Sequence, residues 1–294
     1  MTQSAQTTVP CATVLNAQSL ASLRDDGAIL IQQTRLFLSD ATSRQVTHLV
    51  FVSSAMVYGA WENNAVPLTE DAPLRPDPEF LMVCAFAVAE ALVEDWRSAV
   101  SGRSSTILRP VPIVTRGSTS SLVAALAQAA GSEMSLSLPA AQFLNSSDLD
   151  TAIEICCKKC PDGVFNVSPD GAISGERLRK LAARPLQLRL PRFAVEWVDA
   201  MRWRAERGPI PPGLRSYSRF SWVVSNDRLK QLGWIPQVTN EEAYVEGTEG
   251  SFFDGLSAKR RQEIGLIASV MVIVSAVTLL WRLLRHRSRR NNIG

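Results

Sequence analysis

Six consecutive residues, His48 to Ser53 (HLVFVS), form a short and almost unbroken apolar run. A strand with one face in water alternates apolar and polar residues. One that is apolar at nearly every position is buried on both faces, and its usual setting is a parallel sheet covered by helices. The neighbouring sequence alternates to match. Ile29, Leu30, Leu36, Phe37 and Leu38 give an apolar face to a helix that Asp25 or Asp26 would cap and that runs to about Thr42. A second helix is expected from about Phe80 to Val100, then a strand at Ser105–Arg109 (STILR). Strand, helix and strand in succession predict an α/β architecture.

Residues 59–79 are rich in Asn, Pro, Asp and Glu and read as a surface loop, with Glu70, Asp71, Asp77 and Glu79 solvated. Beyond Gly117 the pattern loosens. Helix is expected at 120–130, a short strand near 134–138, and helix from Asp148, as its cap, to about Lys159. Val164–Asn166 reads as a strand. Ser174, with Glu176 close behind, marks a helix start. The PIPPG stretch at 209–213 is a loop. Trp222–Val224, a helix at about 226–232 and another near 240–248 follow.

Charge and cysteine usage narrow the function classes. The 31 basic and 28 acidic residues leave a net charge of +3, much of it in the C-terminal tail. No basic face with interleaved aromatics emerges, which argues against a nucleic-acid partner. The five cysteines, Cys11, Cys84, Cys156, Cys157 and Cys160, are odd in number and irregular in spacing. That is no disulfide framework, and it fits a reducing compartment. Cys157-Lys-Lys-Cys160 is formally CxxC, but no second pair exists and the only histidines are His48 and His286. It reads as a helix end, and no metal site is expected.

Ile264 to Trp281 (IGLIASVMVIVSAVTLLW) is an uncharged run of 18 residues, continued by Leu283 and Leu284 beyond Arg282. Such a run is about long enough to span a hydrocarbon core. Lys259, Arg260 and Arg261 precede it; Arg282, Arg285, Arg287, Arg289 and Arg290 follow, with Trp281 as an interfacial anchor. The N-terminus shows no basic segment leading into an apolar one, so no signal peptide is expected. Basic counts of five after the span against three before it mildly favour a cytoplasmic C-terminus. The free cysteines and the missing export signal weigh the other way. The expectation is a single-pass cell-membrane protein held in the bilayer by a C-terminal anchor, its folded domain cytoplasmic.

Five stretches together resemble the extended short-chain dehydrogenase/reductase superfamily, in its NAD-dependent epimerase/dehydratase branch. VTHLVFVSSAMVYG at 46–59 is similar to the strand carrying that family's catalytic Ser/Thr, and LRPVPIV at 108–114 to its next strand, beside the nicotinamide. FLNSSDLDTAI at 143–153, GVFNVSPDGAISGERLRKLA at 163–182 and WVVSNDRLKQLGWIPQVTNEEA at 222–243 resemble later segments in the same order. The resemblance implies a Rossmann-like parallel sheet, incomplete at the N-terminus, with a smaller substrate-type lobe and one transmembrane helix. The expected division is 1–118 for the partial NAD(P)-binding region, 119–249 for the lobe, with strands returning to the core, 250–263 for a linker, 264–284 for the membrane helix and 285–294 for a basic tail.

The resemblance also says which chemistry to look for. In the family a tyrosine is the general base, a lysine four residues on lowers its pKa and holds the nicotinamide ribose, and a Ser/Thr hydrogen-bonds the reacting oxygen. Ser54 falls on the serine position. The tyrosine and lysine positions are Met82 and Phe86, so Ser54 is a vestige of a catalytic site. Tyr58 belongs to a structural turn, and Arg109 braces a strand end. Ser53, Pro110 and Val111 fall beside the NAD(P) site the family would have. Its glycine-rich phosphate turn is not matched, since the only glycine in the first 58 residues is Gly27. The resulting expectation is an impaired, membrane-anchored homologue acting as a binding or scaffold protein, with a partner able to complete the sheet. The alternative is an active nucleotide-sugar enzyme whose cofactor half comes from a partner chain or from upstream coding sequence.

Overall fold

The structure, a computed structural model, describes residues 12–24, 27–115, 120–132, 138–181 and 191–248. In chain order they form β1 (Ala12–Asn16), α1 (Ala28–Ser43), β2 (His48–Val52), α2 (Leu81–Ser98), β3 (Ser104–Pro110) and β4 (Ile113–Val114). Next come α3 (Ser121–Ser132), β5 (Leu144–Asn145), α4 (Ser146–Lys159), β6 (Gly163–Val167), α5 (Gly175–Leu181) and α6 (Arg192–Arg204). Three short helices close the series: α7 (Ser216–Arg219), α8 (Asp227–Gln231) and α9 (Asn240–Thr248).

Four strands pair in parallel in the order β1-β2-β3-β6. All five residues of β2 are buried, as a strand covered on both faces requires. Helices α1 and α2 lie side by side, and α4 packs along β1, β2 and β3. The larger of two apolar clusters runs from Leu30 and Leu38 through Phe51, Phe86 and Leu108 to Trp234, and a smaller one gathers Val114, Val123, Phe143, Ile173, Ala243 and Tyr244. This is a Rossmann-like α/β sheet, and the outer edge of β1 carries no strand among the described residues. Strands β4 and β5 form a separate parallel pair, packed against α9.

The contact between α1 and α2 depends on Gly27. It occupies the N-cap position of α1 with φ +84°, and a Cβ there would come within 2.1 Å of Ala85 Cβ on α2. Only glycine accepts both the left-handed backbone and the close approach. Asp25 and Asp26, the expected caps, lie outside the described residues, as do the short strand expected near 134–138 and the apolar run 264–281. Among the described residues no helix is long and apolar enough to cross a membrane.

Two expectations are corrected. Asn145, not Asp148, caps α4: its Oδ1 accepts from Ser147 N at 2.9 Å. The Asp148 carboxylate instead accepts from Gln237 N at 3.1 Å and Val238 N at 3.0 Å, which clamps the Leu-Gly-Trp-x-Pro turn onto α4. Trp234 Nε1 on Thr151 Oγ1, at 3.0 Å, completes the clamp. Glu70 is not a solvated loop carboxylate, because its side chain is buried and accepts from Asn166 N at 3.0 Å. In the stretch Trp222–Val224, Val224 makes a single bridge to Leu68.

Candidate functional site

The carboxyl ends of β2 and β3 lie next to each other, the register pairing Val52 with Leu108. In open α/β sheets ligands bind outside such ends. The chain leaves β2 through Ser53 and Ser54 into a single 3-10 turn, Ala55–Tyr58, which Gly59 ends with φ +72°. Ser54 Oγ accepts from Met56 N at 3.3 Å and so acts as the cap of that turn. Tyr217 OH donates to Met56 O at 2.8 Å, locking the turn from the far side of the sequence.

The other candidates are enclosed by protein. Ser53 is fully buried; its backbone N donates to Leu108 O at 2.7 Å and its O accepts from Gln18 Nε2 at 2.5 Å. Its hydroxyl has no partner among the described residues. Pro110 ends β3, and Val111 is buried with its N donating to Val167 O at 3.1 Å. A shallow concavity that encloses essentially no space lies beside Val111, lined also by Ala140, Ala141, Gln142, Trp222 and Val223. It has no room for a dinucleotide.

Met82, Phe86 and Glu90 follow one another at four-residue spacing along one inward face of α2. Met82 and Phe86 are core residues, joined in one apolar cluster with Ala55, Met56 and Tyr58. The described residues therefore bring the Ser54 turn and the Met82–Phe86 face together, but in apolar packing. No phenol or ammonium from α2 enters it. Gly27, the only glycine before Gly59, faces Ala85 instead of open space for a phosphate. These residues do not fit a dinucleotide, and no catalytic step follows from them.

The site instead holds a buried polar network. Arg109 Nη2 reaches Glu90 Oε2 at 2.6 Å and Arg109 Nε reaches Glu90 Oε1 at 3.1 Å, both side chains being almost wholly buried. Arg109 Nη1 donates to Tyr58 OH at 2.8 Å, and Tyr58 OH donates to Asn166 Oδ1 at 2.8 Å. Asn166 is the register partner of Arg109 on β6, and its N–H ends the chain on Glu70. Burial pushes the Tyr58 phenol above 10, against the opposing pull of Arg109. With its proton committed to Asn166 and its pKa raised, Tyr58 is not a base at neutral pH. The bracing role expected of Arg109 is visible here. Asn166 and Glu70 in this network, and Tyr217 on the neighbouring turn, have no local sequence signal, since their partners lie far along the chain.

Cys157 and Cys160 stand at the C-terminal end of α4, with Cys160 at the left-handed C-cap. Burial raises the Cys156 thiol to about 12 and raises Cys157 as well, so both stay protonated and inert. Among the described residues no group of His, Cys, Asp and Glu could hold a metal ion.

No protein-family model and no curated protein sequence matches the chain. Solved structures do. The enzyme WbmG of Bordetella bronchiseptica, in complex with NAD, superposes with a TM-score of 0.57 at 18% identity, over 83% of this chain and 72% of that one. UDP-glucose 4-epimerase of Thermotoga maritima, with UDP-glucose, gives 0.55 at 18% identity over 82% and 77%. The dTDP-glucose 4,6-dehydratase of Bacillus anthracis, in complex with NAD, gives 0.54 at 16% identity over 77% and 67%. The chain shares the Rossmann-like fold of these enzymes, an epimerase and a dehydratase among them.

Proposed function

We propose that this chain is a membrane-anchored epimerase/dehydratase-like protein that has lost the family's chemistry and works as a binding or scaffold protein at the inner face of the cell membrane. The observation that carries this reading is the apolar pair Met82 and Phe86, packed into the core where the family's route needs an ionisable pair. Ser54, engaged with Met56 N, supports it. A neutral phenol has a pKa near 10, and without a neighbouring ammonium no side chain here is poised for proton abstraction at pH 7. Anchoring is assigned to Ile264–Trp281, and the bilayer is the first partner.

The test is isothermal titration of the full chain, in detergent, with NAD and NADP, together with an assay for turnover of UDP-glucose and dTDP-glucose. Neither micromolar cofactor binding nor turnover is expected. Finding both would overturn the reading.

One observation favours a second reading. The outer edge of β1 is free of strands among the described residues, and an unpaired edge is a template for another chain. In that reading a partner polypeptide, or residues encoded upstream, completes the sheet and supplies the cofactor half. Co-purification of a glycine-rich partner, or an in-frame upstream segment of that kind, would support it. It must still account for Met82 and Phe86.

A further inference from the structure

Helix α6 is the most weakly buried long helix of the described residues, Val195 being its only buried residue. Phe193, Trp197 and Met201 recur every four residues and are 75%, 65% and 53% exposed. At about 100° per residue they occupy one arc of roughly 80°, which Arg204 shares. Three large apolar side chains in one exposed row are unusual on a soluble surface and mark an interaction site.

The charges around the row are one-sided. Its nearest carboxylate, Glu196, is taken by Arg192 at 3.1 Å and by Arg219 Nη1 at 2.8 Å. Asp199 is taken by Arg215. Arg202, Arg204 and Arg207 are exposed and make no ion pair among the described residues, and Glu206 is the one exposed carboxylate among them. The orientation is fixed as well. Arg24 stacks on Trp203 at 4.8 Å and donates to Glu206 O at 3.0 Å and Gly208 O at 2.7 Å, pinning the C-terminal end of the helix with the row outward.

We propose that α6 is an interfacial helix that lies on an anionic membrane surface, its Phe193–Trp197–Met201 row in the headgroup region and its arginines on lipid phosphates and carboxylates. An aromatic apolar face bordered by arginine is the pattern such helices use, and a long Arg stem can extend from it to the headgroups. The inference rests on the anchor reading in one respect: residues 250–263 tether the domain to the apolar run. Those 14 residues extend to about 50 Å at most, long enough to let α6 lie on the bilayer.

The test uses the full chain reconstituted into vesicles whose acyl chains are brominated, which quenches tryptophans that reach them. The Trp197 contribution is the difference between the wild-type chain and Trp197→Phe, a variant that keeps the row apolar. In phosphatidylcholine/phosphatidylserine vesicles the wild type is expected to lose an additional share of emission on the order of one seventh, one tryptophan among seven. That difference is expected to fall at least about twofold in pure phosphatidylcholine, and equally in the Arg202→Gln/Arg204→Gln/Arg207→Gln variant. Equal quenching of wild type and Trp197→Phe in anionic vesicles would overturn the proposal; this is also the result if the chain's own tail or a second copy covers the row. Undiminished Trp197 quenching in neutral vesicles would overturn the anionic recognition. Flotation with unbrominated neutral vesicles reads the anchor separately, so a failed anchor leaves the Trp197 measurement intact.

Discussion

Desolvating a guanidinium is costly, and Arg109 is kept charged only because Glu90, Tyr58 and, through it, Asn166 surround it. That network occupies the strand ends where open α/β sheets bind ligands, and Phe86 lies one turn of α2 from Glu90. Introducing a second cation beside it has no compensation. Phe86→Lys is therefore expected to lower stability by about 3–5 kcal/mol, read from the guanidinium midpoint of the full chain in detergent. Adding Met82→Tyr introduces the tyrosine–lysine pair of the family the sequence resembles and is expected to bring neither stability nor NAD binding. A stable, NAD-binding double variant would show that the cleft is open after all. Ser54, Met82 and Phe86 were legible because each belongs to a local motif. Asp148 and Glu70 were misread for the opposite reason: helix caps and loops are judged from neighbours, whereas Asp148 bonds a backbone 89 residues away.

Among the elements, those with strong apolar patterning were legible to within a residue or two. The strand at β2, the helix α2 and the strand β3 stand where the sequence put them, because burial on both faces and a helical stripe leave few alternatives. The pairing of α1 with α2 was not legible, because it depends on a glycine whose use is known only from its neighbour. Gly27→Ala would impose a left-handed backbone on a residue with a Cβ, at about 1–2 kcal/mol, and drive that carbon into Ala85, at about 1–3 kcal/mol. The guanidinium midpoint should fall accordingly. Adding Ala85→Gly should recover the crowding part and leave the backbone part; full recovery would show that strain at Gly27 is absent.

On the scale of the molecule, stability should carry a pH signature from the amino ends of the strands, away from the candidate site. His48 is buried between β2 and β3, its Nδ1 2.7 Å from Ser104 Oγ and its Nε2 3.2 Å from Thr106 Oγ1. Burial lowers its pKa below 6.5, against the opposing pull of Asp162. The unfolded chain thus binds the proton more readily, so stability is complete above about pH 6.5 and falls as pH drops through that value toward the lower folded pKa. Midpoints measured from pH 8 to 5 should show this slope in the wild type, and His48→Gln should flatten it. An unchanged slope in His48→Gln would mean the proton is taken elsewhere. The architecture itself was legible as parallel α/β, but the unequal fate of its two ends was not. Local patterning marks strands without revealing that polar groups from positions 58, 70, 90, 109 and 166 meet in one chain of bonds.

The order β1-β2-β3-β6 has a consequence in time. Each strand joins the sheet beside the one made before it, so none has to be inserted between two already paired. The sheet can grow from one edge as the polypeptide leaves the ribosome, in the order of translation. Arg109 then waits with Glu90 alone until Asn166 and its strand arrive, and the last strand to join is the one that finishes the network. The clamp from Asp148 to the 237–238 backbone closes later still, once the turn around Trp234 has been made.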